Sequence, residues 1–396
     1  MNNLKRYWGI WSILLAIAVI ITTFYAQIDH TPIGLDWKKT SGNYSELDNM
    51  DIVGSTSTVN QSVMYRLSTN KSNDNLKQEI VGANFIDSNL TIFNHQQLND
   101  YINEYKSFMR GKPLFIELFE ETNEYVIFAD IKENNLVVEV LYKENNETEK
   151  MEFPLEHLES SYMGVYSIEY NNDQLYINLG YEKEISINGF HFMNHISIRI
   201  DLEQEKIIEE KQIVEHNNNN KQKDIELEFL DSFIQENKEY YLIVERTYNL
   251  IEESSESQNF QNTNPTHKIL LYDTEAGEQI ELPEMITENS SPVLYKGNVL
   301  FVKNEEGKLS IELFNIDTEE LETVSDVEVE NQYTIPILEV RDENAYLLYS
   351  PNEGRNKITL NVTDIDTGHN IFTGELTVND PTEENLEVYV DLMEFY

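Results

Sequence analysis

The chain has 396 residues, with 72 acidic against 28 basic side chains, a formal charge of −44 and no cysteine. The missing cysteine excludes a disulfide scaffold, a thiolate metal site and a cysteine nucleophile. A field of this sign repels nucleic acid, anionic lipid and phosphate-rich polymers, and the acids are spread along the chain as a solvated surface requires.

One long apolar run, WGIWSILLAIAVIITTFY, covers residues 8–25 without a charge. At ~1.5 Å per residue it reaches ~27 Å, which matches the hydrocarbon core of a bilayer as a transmembrane helix. Lys5 and Arg6 precede it and Asp29 is the first charge after it. Positive charge before the span puts residues 1–7 in the cytoplasm and residues 29–396 outside, tied to the lipid bilayer through 8–25. Trp8, Trp11, Phe24 and Tyr25 fit interfacial aromatic belts. The alternative, a cleaved signal peptide, needs small residues at its cut, and near Ala26 one such place is held by Phe24. The chain then reads as a bacterial signal-anchor protein with four parts: 1–7, the anchor 8–25, a polar linker 26–50 broken by Pro32, Gly34 and Gly42, and a folded extracytoplasmic domain 51–396.

Within that domain one helix is expected over 95–110. Leu98, Tyr101, Ile102, Tyr105 and Phe108 share one face, Asn94 can cap its start, and Gly111 and Pro113 end it. Its amphipathic stripe implies an insertion packed onto a sheet domain.

From Lys112 the chain repeats a pattern. Ile196 to Asp201, Ile269 to Asp273, Leu313 to Asp317 and Leu360 to Asp366 are each an apolar strand closed by Asp, then a turn and a second strand. The Asp side chain can accept hydrogen bonds from the NH groups of the turn it opens. Leu136 to Tyr142 is an earlier member. The Asp positions are 72, 44 and 49 residues apart, and the long step holds two polar insertions, Asn217 to Asn220 and Glu252 to His267. Further strands precede each hairpin, as at Gln174 to Leu179 and Met163 to Tyr170.

Three or four antiparallel strands in each repeat resemble the blade of a β-propeller. The resemblance covers 112–378 as five blades. Residues 51–111 with the last strand, Leu386 to Phe395, supply one or two more, for six to eight in all and seven as the central expectation. A mostly β fold with one inserted helix is implied; a two-sheet arrangement with a separate N-terminal α+β domain is the alternative. The signatures of propeller families with known activities are absent.

No chemical motif stands out. Asp364 and Asp366 in DIDTG hint at a calcium loop, but Gly368 and His369 break the spacing that such a loop needs, and a strand-connecting turn fits better. His191 and His195 are four apart without the Glu of the zinc-protease helix. Adjacent acids such as Glu120 and Glu121, or Glu252 and Glu253, are expected by composition alone, so no catalytic residue is identified and no cofactor is implied. A permanent tether, a repeat platform and no catalytic constellation point to a non-enzymatic module that binds or scaffolds a membrane or envelope protein. The alternative is an extracytoplasmic hydrolase or lyase acting on a polysaccharide or peptide through carboxylates.

Overall fold

The structure, a computed structural model, describes residues 35–47, 50–57, 62–68, 77–80, 96–155, 158, 160, 162–185, 191–214, 223–235, 238–249, 266–305, 307–329, 336–350, 357–378 and 387–395. The expected anchor, 8–25, lies outside them, as do Asn94, Glu252 and Glu253. Among the described residues no helix is long and apolar enough to cross a membrane.

Six antiparallel sheets follow one another. Five are built in chain order. Sheet II contains β5 (Phe119–Glu121), β6 (Tyr125–Lys132), β7 (Asn135–Tyr142) and β8 (Glu147–Pro154); sheet III contains β9 (Met163–Asn171), β10 (Gln174–Ile185), β11 (His191–Asp201) and β12 (Lys206–Val214). Sheet IV contains β13 (Lys223–Gln235), β14 (Lys238–Asn249), β15 (Thr266–Asp273) and β16 (Glu278–Glu281); sheet V contains β17 (Val293–Tyr295), β18 (Asn298–Glu305), β19 (Lys308–Asn315) and β20 (Leu321–Glu328). Sheet VI contains β21 (Ile337–Arg341), β22 (Asn344–Tyr349), β23 (Lys357–Asp364) and β24 (Asn370–Val378). The two chain ends interlock. The N-terminal strand β1 (Leu35–Gly42) is a fifth strand outside β24, and the C-terminal strand β25 (Glu387–Phe395) is the first strand of sheet I, ahead of β2 (Met50–Ser57), β3 (Ser62–Ser68) and β4 (Lys77–Ile80).

The first strands touch in succession, β5 to β9 to β13 to β17 to β21 to β25, so they line a common axis and the later strands radiate outward. This is the propeller-like architecture expected from the repeat, with six sheets among the described residues where seven were the central expectation. The difference has a physical source. Residues 96–109 are spent on helices, and residues 35–50, expected as linker, instead supply β1, a 3-10 turn at Tyr44–Leu47 and the start of β2.

The second and third strands are covered on both faces and read as nearly continuous apolar runs, as in YVIFADIK of β6, while the outer strand β8, ETEKMEFP, alternates exposed and buried. The strands of the expected repeat are the third strands, β11, β15, β19 and β23; Asp201 and Asp273 close the first two, while β19 ends at Asn315 and β23 at Asp364, which accept from the turn in place of the expected Asp317 and Asp366. Gly277 and Gly368 take positive φ in two of the turns that follow these strands.

Apolar clusters fill the gaps between sheets II and III, IV and V, V and VI, and VI and I. The expected helix is two pieces, α1 (Gln96–Glu104) and α2 (Lys106–Met109), interrupted at Tyr105. The predicted stripe does pack on the sheets. Leu98, Tyr101 and Phe108 are buried against Phe119, Val126, Phe128 and Leu141 of sheet II, with Ile102 and Tyr105 partly buried beside them.

The strand directions define two ends of the ring. At the connection face the first strands begin; here residues 96–118 lead into β5, β12 ends and β13 begins, and β14 ends and β15 begins. At the opposite turn face the strands meet in short described turns, as at 122–124, 172–173, 342–343 and 365–369.

Candidate functional site

Among the first strands, β5, β9, β13 and β21 each carry a described carboxylate directly after an apolar residue: Glu120, Glu169, Asp231 and Glu339. Each is partly buried near the axis, and three are held by the following sheet. The Tyr170 backbone NH donates to Glu120, the Ser232 hydroxyl to Glu169, and the Leu294 backbone NH to Asp231 at 2.7 Å. A second NH, from Ser232, reaches Asp231 at 2.8 Å. In sheet V the corresponding place is taken by Val293, and the chain of acids skips it.

Burial raises all four above the ordinary carboxylate range, and neighbouring negative charge adds to it for Glu120, Glu169 and Glu339. Glu120 rises to about 7, with Glu169 contributing, and Glu339 to about 7, with Asp231 contributing. Asp231 rises to about 6 although its two NH donors oppose the burial. Glu169 is raised although Ser232 opposes it. Glu120 and Glu339 therefore titrate around neutral pH, and in their protonated forms can donate as well as accept hydrogen bonds.

The acids continue into the seam between sheets III and IV. Its apolar cluster is small, built on Ile213, Tyr241, Ile243 and Leu270. Glu239 on β14 is buried there and accepts from the Ser197 hydroxyl at 2.6 Å and from the Tyr241 hydroxyl. Burial carries its pKa to about 7 against those two donors. A cavity large enough for about one water is lined by Tyr176, Ser197, Arg199, Glu209, Lys211 and Glu239, among others. Arg199 and Lys211 converge on Glu209 at 2.7 and 3.3 Å. Both amide atoms of Asn178, both ring nitrogens of His195 and Nε of Arg199 are buried without a partner.

The residues singled out from sequence fall in separate places. Asp364 is engaged by its own turn, accepting from the Thr367 NH at 2.7 Å and the Thr367 hydroxyl at 2.6 Å, and these bonds hold its carboxyl below the ordinary range. Asp366 points toward Lys296 of sheet V, 4.0 Å away. Among the described residues no group of three or more His, Asp or Glu is arranged to hold a metal ion. His195 is buried against Tyr166 and Phe229, and burial drives its imidazole down to about 3, so it is neutral.

Glu120 and Glu121 are neighbours on one strand and turn to opposite faces. Burial pushes the Glu121 carboxyl up, but hydrogen bonds from Lys143, Gln97 and Tyr101 outweigh it, so the group sits below the ordinary range while Glu120 sits above it. The pair does not act on one substrate atom.

Exposed aromatic side chains gather at the connection face. Phe115, 64 % exposed, precedes the 3-10 turn Ile116–Leu118 that packs on β9, and Tyr162, 58 % exposed, immediately precedes β9 with its ring over Gly164. Tyr166 is exposed a few residues further along β9, and Met285 lies in the link leading to β17.

No protein-family model matches the chain, and a search of curated proteins finds no match. Among solved structures it is similar to TolB from Acinetobacter baumannii, at 10% identity and a TM-score of 0.30, covering 85% of this chain and 65% of TolB, just under two thirds of that structure's length. It is also similar to the β-propeller domain of the Trilobed protease from Pyrococcus furiosus, at 14% identity and a TM-score of 0.31, covering 88% of this chain and 99% of that one. An oligogalacturonate lyase in complex with manganese matches at 9% identity and a TM-score of 0.36, covering 86% of this chain and 78% of that one. Likenesses at these values transfer no activity.

Proposed function

We propose that this protein is a membrane-tethered extracytoplasmic module that binds another membrane or envelope protein and does no chemistry on it. The observation that carries the reading is the pair Phe115 and Tyr162, large aromatic side chains exposed at the connection face. Large aromatic side chains left in water at one end of a folded domain are what an interface core is made of. The apolar run 8–25 supplies the tether and the cytoplasmic N-terminus.

The test is crosslinking in intact cells followed by purification from solubilised membranes, comparing the native chain with a Phe115→Ser, Tyr162→Ser double variant. A near-stoichiometric membrane partner lost in the variant is the expected result. Recovery of the native chain alone overturns the reading. Added protease should reach the domain in intact cells, and protection of the domain until lysis would overturn the topology.

A second reading, a carboxylate-dependent hydrolase or lyase on a polysaccharide or peptide, is favoured by one observation: Glu120 and Glu339 stay protonated to about pH 7 near the axis, as a general acid must. It requires turnover that disappears in Glu120→Gln or Glu339→Gln while the fold is kept.

A further inference from the structure

The place where β1 joins the ring fixes how the domain stands on its tether. Leu35 lies opposite Val378, the last residue of β24, so β1 begins at the connection face and runs toward the turn face. The apolar run ends at Tyr25, which leaves only residues 26–34 between it and β1. Nine residues span at most ~30 Å fully extended. Turning the opposite face toward the bilayer would make them climb the ~26 Å height of an eight-residue strand at nearly full stretch. With the connection face turned down, the same segment is slack.

We infer that the connection face is held toward the membrane, and that its Phe115 and Tyr162 surface takes the membrane-proximal extracytoplasmic segment of a neighbouring membrane protein, one carrying basic and apolar side chains. The inference rests on the tethered reading above and adds the orientation and the chemistry of the partner. Exposed Glu117 stands beside Phe115, and exposed Glu284 beside Met285, so the apolar contacts on this face come with negative charge. Residues 29–396 carry 26 basic and 72 acidic side chains, which repels a second copy of the chain and an anionic lipid surface while it draws a basic segment in. The tether adds a high local concentration of anything anchored in the same membrane.

The test uses the full-length chain in its own membrane, with a photoreactive phenylalanine at position 115 or 162 on the connection face, or at 296 or 366 on the turn face. The expected result is a crosslink to one membrane protein from 115 and 162, several-fold stronger than from 296 and 366. Inserting about twenty Gly/Ser residues within 26–34 should weaken that crosslink by relaxing the orientation and diluting the effective concentration. Equal yields from both faces, yields from the turn face only, no protein crosslink, or crosslinks from 115 and 162 to lipid alone each overturn the inference. Fractionation of the same cells separates the two layers: a chain absent from the membrane fraction defeats the tether itself, whereas a membrane-bound chain with the wrong crosslink pattern defeats only the orientation and partner.

Discussion

The Ser197 hydroxyl donates to the buried Glu239 carboxyl at 2.6 Å across the gap between sheets III and IV, whereas the gaps between sheets II and III, IV and V, V and VI, and VI and I are filled by larger apolar clusters. The folded Glu239 keeps its proton to about pH 7, while a glutamate in the unfolded chain releases it near 4.5. The folded state therefore binds more protons between those values, and stability falls as pH rises through that window. Glu239→Gln removes the ionisation and keeps an acceptor for Ser197. The variant should be more stable than the native chain at pH 8, by on the order of 3 kcal/mol at most, and its urea midpoint should vary less between pH 4.5 and 7. Parallel curves for the two proteins would show that Glu239 is not the group responsible.

Tyr101 ties the inserted helices to the ring. It is fully buried, and its hydroxyl donates to Glu121 at 3.0 Å while accepting from Gln97 at 2.6 Å. Tyr101→Phe should cost about 1–2 kcal/mol, mostly for the lost bond to a charged acceptor, and Tyr101→Ala about 3–5 kcal/mol for the emptied ring site. Glu121 is held below the ordinary range chiefly by Lys143, Gln97 and Tyr101 acting against its burial, so its contribution is present above the unfolded value and lost as pH falls through the folded one. Thermal unfolding of the three proteins at neutral and acid pH reads both effects. A Tyr101→Phe variant indistinguishable from the native chain would remove the network from the account.

Much of this architecture was legible because it is local. An apolar strand followed by an acidic turn is a short-range pattern, and it marked the third strands β11, β15, β19 and β23, although the residue that accepts from the turn is Asn315 in β19 and Asp364 in β23, each two places before the Asp expected there. Two features were hidden by distance. Strand β1 has a polar sequence, LDWKKTSG, and its partner lies more than 300 residues away in β24, so nothing near it distinguishes it from linker. The axial acids are four among 72 carboxylates, and nothing in the residues beside them sets them apart by sequence. A usable signal did exist for the seam. Ile196, Ile198 and Ile200 alternate with Ser197 and Arg199 along β11, which in an ordinary sheet means one face toward water. In a ring of stacked sheets both faces are covered, so the polar alternate residues mark a buried polar interface.

The turn that holds Asp364 tests the calcium reading directly. Its carboxylate is already occupied by the Thr367 NH and hydroxyl. Asp364→Ala should lower the urea midpoint, Asp364→Asn should retain most of the native value because its carbonyl can still accept from the turn, and added calcium should leave the native midpoint unchanged. A calcium-dependent rise abolished by Asp364→Asn would instead make this turn a cation site.

Gly42 decides whether β1 can seat. Its φ is +83°, and a Cβ there would stand 2.1 Å from the carbonyl oxygen of Ile371 on β24, closer than any side chain can be accommodated without moving backbone. Alanine at this position opposes both the left-handed conformation and the approach of the two strands. The expected outcome for Gly42→Ala is local: β1 detaches, the outer edge of β24 loses hydrogen-exchange protection, and sheets II to V keep theirs. With β1 released, the slack between the apolar run and the ring grows by the length of the strand, so crosslinking from positions 115 and 162 should weaken in the same variant. Unchanged protection along β24 would mean that β1 does not hold the ring's outer edge, and the orientation argued from it would lose its anchor point.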